Sequence, residues 1–381
     1  MLALAILASM GPFSIDMYLP TLPSIADDLN TTAATAQLTL TGFMVGMGLG
    51  QILMGPLSDA LGRRRLILGG AVVAAVAAVA CATAPTIWVF VLARVLLGLG
   101  SGTCVVTSRA VVPDLVDGRE AARAFSIIML FQGLAPVLAP VLGGVLAAPL
   151  GWRGLMWLLV GFALIQLVVA YFLVPESLPQ QRRTKAPLRN LGATMVWLFK
   201  KRDFVGYTIA YGFGFGGLFC YVSGSALVIQ KQLGLSPVFF SAVFAVNSLG
   251  IVLGNFLNAH LVRRVYPHSL LRMGHLTMFT GGVVVLLAGL FYPTLWLLWV
   301  GMFLTVVLLP FIMGNGTALG TSAARERAGS ASAVMGLSQF VVAGFGSALM
   351  GLGTNHAVVM GVGVVTCTLI GLGGVFIAGR K

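Results

Sequence analysis

Charge is the scarcest feature of this 381-residue chain: Asp, Glu, Lys and Arg together make up 9% of it, and only 10 residues are acidic. A soluble globular domain carries roughly 25% charged residues, so this chain has no polar coat with which to face water, and an ordinary water-soluble enzyme is excluded. Intrinsic disorder is excluded too, because it requires low hydrophobicity and high charge, whereas 58% of these residues are hydrophobic. Cysteine is equally sparse. Cys81, Cys104, Cys220 and Cys367 lie far apart in apolar runs without a C-x-x-C pair, and are expected as buried small hydrophobes with no disulfide frame or zinc site. His260, His268, His275 and His356 show no ligand spacing; they are placed near span ends, in helix-end hydrogen bonds, and no metal is expected.

What the chain has is long apolar runs. Six lie at about 1–20, 36–57, 66–84, 87–109, 122–147 and 153–174, and six more at about 204–228, 237–259, 270–290, 294–318, 328–351 and 355–378. Each is close to the ~20 residues a helix needs to cross the hydrocarbon layer. A barrel does not fit, because its strands alternate over ~10 residues. The expected fold class is an all-α membrane protein with twelve transmembrane helices in two pseudo-symmetric six-helix bundles, 1–174 and 204–381, joined by a solvated, partly helical linker at 175–203.

The net charge of +13 raises nucleic acid as a partner. Its distribution argues against that, since 20 of the 23 Lys and Arg fall on alternate connections on one side of the spans. By the positive-inside rule that side is cytoplasmic, and both chain ends lie there. Seven of these basic residues are in the linker; a topology signal accounts for them, the alternative being a site for anionic lipid or a partner. The first run starts without a basic leader, so a cleaved signal peptide is not expected.

The two halves are faintly alike. Leu57-Ser58-Asp59-Ala60-Leu61-Gly62-Arg63-Arg64 lies 200 positions before Leu257-Asn258-Ala259-His260-Leu261-Val262-Arg263-Arg264. Parallel six-helix repeats of this kind enclose a midplane cavity that opens to either side in turn.

The stretch from Gly55 to Arg65 carries the most specific signal. Gly55 and Gly62 are expected to let the backbone turn, while Asp59 caps the next helix and accepts hydrogen bonds from neighbouring arginines. The segment resembles the signature of the major facilitator superfamily, except that Ala60 stands where the family usually has a basic residue. The resemblance implies a cytoplasmic gate formed by Gly55, Asp59, Gly62, Arg63 and Arg64.

Arg94, followed by Val95-Leu96-Leu97-Gly98-Leu99-Gly100-Ser101-Gly102, is similar to the motif with which proton-coupled facilitators hold an arginine inside the membrane. A charge there costs at least ~2.5–3.5 kcal/mol and marks function by default, the alternative being a head that reaches the membrane surface. Pro136, Pro140, Gly143 and Gly144 look like the antiporter motif of exporters, with paired prolines to loosen the helix and glycines for close packing.

Asp16 is the only acidic residue well inside an apolar run. Low-dielectric surroundings favour the neutral form of a carboxyl group, which makes Asp16, with Arg94, the candidate for proton coupling. The segments Ser14 to Pro23, Arg109 to Leu115 and Pro175 to Pro179 make the chain resemble the Bcr/CflA branch of drug:proton antiporters.

That resemblance implies export of drug-like compounds from a bacterium across its cytoplasmic, or inner, membrane, as a monomer, with the proton gradient as energy source, no cofactor, and small molecules, protons and membrane lipids as partners. The expected cavity lining is Tyr18, Met44, Met47, Phe131, Gln132, Tyr207, Tyr211, Phe215, Tyr221, Asn247, Gln339 and Phe340, which supply polarisable sulfur, aromatic faces and a few hydrogen-bonding groups. Transport of a single metabolite is the alternative within transport, and a non-transporting receptor or a scramblase the alternative outside it. Gly212 to Gly217 matches G-x-G-x-x-G but lies within a span, so it is no dinucleotide site.

Overall fold

The computed structural model describes residues 2–116, 118–183 and 191–379. Every long element among them is helical, as lipid requires, because a helix satisfies its backbone polar groups internally. The elements are α1 (Leu2–Asp16), α2 (Leu22–Asp28), α3 (Ala33–Leu61), α4 (Arg63–Ala82), α5 (Ile87–Leu115), α6 (Gly118–Leu173), α7 (Leu191–Lys200), α8 (Arg202–Ala226), α9 (Pro237–Leu261), α10 (Pro267–Phe291), α11 (Leu295–Val307), α12 (Leu309–Ala323), α13 (Ala328–Leu349) and α14 (His356–Ala378).

Eleven helical stretches among the described residues are long and apolar enough to cross a membrane. The twelve expected runs map onto them because α6 is two helices joined at Gly151, whose φ of 63° and ψ of −179° interrupt the helical path. The first run is broken as well. Pro20 and Pro23 lack the N–H that would continue α1, so a 3-10 turn over Leu19–Thr21 and then α2 begin anew, leaving Asp16 as the last residue of α1. Pro310 similarly divides α11 from α12.

The chain forms two compact units, one of residues 1–29 and 42–191, the other of residues 30–41 and 192–381. In the first, α5 packs against α4 and α1, and α6 against α1 and α4. The α3–α5 seam is set by glycine: a Cβ at Gly46 would strike the carbonyl of Val95, and one at Gly98 the carbonyl of Phe43. Backbones approach that closely in lipid only where side chains are absent. In the second unit α8 packs against α13 and α14, and α10 against α14 and α11, with Gly206 and Gly374 facing each other across the α8–α14 seam. The start of α3 belongs to this unit, where the Gln37 amide donates to the Ser223 carbonyl at 3.0 Å.

The linker is not wholly solvated. Its helix α7 buries Leu198 completely against Phe204, Ala324, Ala331, Val334 and Met335, while Trp197 takes the Lys201 ammonium 3.8 Å from its ring centre. Of the linker's basic residues, Lys185 and Arg189 lie outside the described residues.

Candidate functional site

Helix α1 ends at Asp16, so the carbonyl of Ser14 has no helical N–H beneath it and sits at the negative end of the helix dipole. Arg94 meets that need. Its guanidinium donates to the Ser14 carbonyl at 2.8 Å, and its Cζ lies 4.2 Å from the Tyr18 ring centre and 4.6 Å from that of Phe43. The side chain is fully buried, so its head does not reach the membrane surface. The local cause is the glycine seam, which draws α3 onto α5 one turn beyond Arg94 and brings the Phe43 ring over the guanidinium.

Asp16 lies two residues past Ser14 and is buried. On its other flank, α6 closes in at Gly143, where a Cβ would strike the Met17 carbonyl. The end of α1 is thus held between α5, through Arg94 on the Ser14 carbonyl, and α6, through Gly143 on the Met17 carbonyl, with Asp16 between those two points in the chain. Gly144 and Pro140 are buried in the same helix. Helix α6 runs through Pro140 and is interrupted at Gly151. The side chains of Pro136 and Gln132 lie outside the described residues.

From Tyr18 an aromatic series runs to the protein surface. Tyr18 meets Phe90 edge-on at 6.4 Å, and Phe90 meets Trp152 at 5.2 Å. The Trp152 indole donates to Asp28 at 3.0 Å, and Asp28 pairs with Arg153.

A second cluster surrounds Gly62. Here φ is 100° and ψ is 150°, a backbone open essentially to glycine alone. Arg63 bonds Asp59 at 2.6 Å, the Ser58 hydroxyl at 2.5 Å and Asp114 at 3.0 Å. Asp59 is therefore an ion-pair partner and not the expected helix cap. That task falls to Glu176, which accepts the Arg63 backbone N–H at 2.9 Å and pairs with Arg183 at 3.5 Å. Ser177 donates to Asp114 at 2.9 Å. Arg64 turns away to the Tyr171 carbonyl, at 2.7 Å. Gly55 does not turn the chain; it lies inside α3, where a Cβ would meet only Val106, at 3.6 Å. Asp114 and Glu176 belong to segments that carry the family resemblance, but the motif around Gly62 does not itself point to them. The signal available was their position beside basic segments in a chain with 10 acidic residues.

The expected lining residues fall in both units. Tyr18, Met44 and Met47 are buried in the first unit, and Phe131 is half-buried. In the second, Tyr221 and Asn247 are bonded to each other at 3.0 Å, with the Trp299 indole donating to Asn247 at 3.0 Å. Tyr207 is 3.4 Å from the His268 ring nitrogen, and Tyr211 packs beside the Leu198 cluster. Phe215 contacts Phe219 and Phe340 in one aromatic group, and Gln339 is half-buried. His275 departs from its expected place: it is fully buried within α10 and fills the slot left by Gly371.

A sequence profile described as Major Facilitator Superfamily matches residues 4–347. Among proteins of similar sequence, an "Uncharacterized MFS-type transporter YdgK" of Bacillus subtilis is 36% identical over 97% of this chain and 92% of its own length. A "Bicyclomycin resistance protein homolog" of Haemophilus influenzae is 30% identical over 90% of this chain and 86% of its own. A "Chloramphenicol resistance protein" of Pseudomonas aeruginosa is 32% identical over 80% and 73%. Among solved structures, a peptide transporter in complex with sulfate shares the fold, with a TM-score of 0.75 at 15% identity, covering 99% of this chain and 94% of that one.

Proposed function

The chain belongs to the Major Facilitator Superfamily, and from that premise we propose that this multi-pass membrane transporter expels drug-like compounds in exchange for protons. The observation that supports export is the chain-long similarity to proteins named for resistance to bicyclomycin and chloramphenicol. Coupling is assigned to Asp16 and Arg94, both buried at the end of α1.

Arg94 holds its positive charge on the Ser14 carbonyl, two residues before a carboxyl group that can bind and release a proton. A protonated Asp16 is compatible with a binding site closed to water, and a cationic or polar cargo competes with that proton for the same low-dielectric space. Each proton entering under 100 mV supplies about 2.3 kcal/mol, enough to sustain a gradient of the expelled compound. The binding site is exposed alternately to the two sides of a bacterial inner membrane, with the Gly62 cluster and both chain ends on the cytoplasmic side. No cofactor takes part, and the working unit is a monomer.

The test is efflux from everted vesicles across a panel of antibiotics and dyes, with and without an uncoupler. Active efflux that collapses with the uncoupler is expected. Asp16→Asn is expected to abolish uphill efflux while retaining downhill exchange; unchanged uphill efflux in that variant would remove Asp16 from the coupling step.

A further inference from the structure

Cys220 on α8 and Cys367 on α14 are 147 positions apart, yet both side chains line one crevice. Glycine on three helices makes room for them. A Cβ at Gly346 would lie 3.1 Å from the Cys220 sulfur, one at Gly363 3.0 Å from it, and one at Gly216 3.4 Å from the Cys367 sulfur. The two thiols line a crevice of about 430 Å³ between α8, α13 and α14. Its mouth is formed by Phe345, Leu349 and Val362, which are 71%, 53% and 48% exposed on apolar spans. In a membrane protein such a surface faces acyl chains, so the crevice is reached from the bilayer by an uncharged lipophile.

We propose that the Cys220–Cys367 pair is a binding site for lipophilic trivalent arsenicals, which bridge two neighbouring thiols. The chemistry suits the place. Alkylating reagents need a thiolate, which apolar surroundings disfavour. An aryl arsenoxide needs none: two As–S bonds form, both S–H bonds break, and the arsenic-bound oxygen leaves with the two protons as water. Neutral reactants give neutral products, so no charge is left in the low-dielectric crevice. Cys81 and Cys104 are also buried and have no neighbouring thiol in this crevice.

The experiment treats the full-length transporter in proteoliposomes with phenylarsine oxide and reads intact mass. One aryl-arsenic group per chain is expected, released by an excess of 2,3-dimercaptopropanol, with no labelling by a charged maleimide. Cys220→Ser and Cys367→Ser, each first shown to run as a monodisperse peak, are both expected to lose the adduct. Retention of the adduct in either variant would overturn the assignment. So would a wild-type chain that is labelled only after unfolding in detergent, because the crevice would then give no access from lipid. Neither cysteine takes part in the proposed coupling step, so this outcome is independent of the efflux assay.

Discussion

The Arg94 guanidinium lies against the face of Tyr18, with Cζ 4.2 Å from the ring centre, while one of its nitrogens holds the Ser14 carbonyl at the end of α1. One side chain thus satisfies a helix terminus, stacks on an aromatic ring and sets the elbow on which Asp16 stands. The planar, delocalised charge of arginine suits all three contacts, and the compact ammonium of lysine does not. A desolvated cation–π contact is worth about 2 kcal/mol. Arg94→Lys is therefore expected to keep the charge and the fold but lose on the order of tenfold in efflux rate. Arg94→Met, which keeps the apolar stem, is expected to abolish efflux. Initial rates in vesicles, normalised to folded protein by gel filtration, measure both.

Gly62→Ala tests the turn between α3 and α4. The backbone there is one that L residues reach only at a cost of about 1–3 kcal/mol, and the added methyl meets the Glu176 carboxylate. A lower unfolding temperature is expected, read by thiol-reactive dye fluorescence during heating. An unchanged midpoint would show that the turn relaxes freely.

Glu176 has two separable tasks. Glu176→Gln keeps an acceptor for the Arg63 N–H and removes the charge facing Arg183, whereas Glu176→Ala removes both. Loss of a helix cap costs about 1 kcal/mol, and a partly exposed ion pair contributes less. The expected order of thermal stability is wild type, then Gln, then Ala, with the larger step between Gln and Ala.

Gly98→Leu forces α3 away from α5, because its Cβ collides with the Phe43 backbone. Overpacking of this kind costs about 1–3 kcal/mol, and it also draws Phe43 off the Arg94 guanidinium. Efflux is expected to fall more steeply than the yield of folded protein, a ratio obtained by assaying both on one preparation.

The spans were legible because lipid imposes one rule on every crossing segment, and apolar length reports it without tertiary information. The Gly62 motif was legible in part. Its ion pairs follow from local spacing, as with Asp59 and Arg63 four residues apart, but Asp114 and Glu176 come from residues 51 and 113 positions away from Arg63. The faint repeat illustrates the same limit. Asn258, in the position of Ser58, bonds Asn315 at 2.8 Å, so the second half joins the corresponding helices without an ion pair.

By itself the sequence determined that this chain is helical, resides in a membrane and holds a carboxyl group and a guanidinium within its apolar spans, because composition and run length act residue by residue. Tertiary structure alone decided that Arg94 closes the end of α1, that His275 is walled in and that Cys220 and Cys367 line one crevice. Those outcomes depend on how closely two backbones approach, and that distance is set by which glycines face one another across a seam, which no linear spacing records.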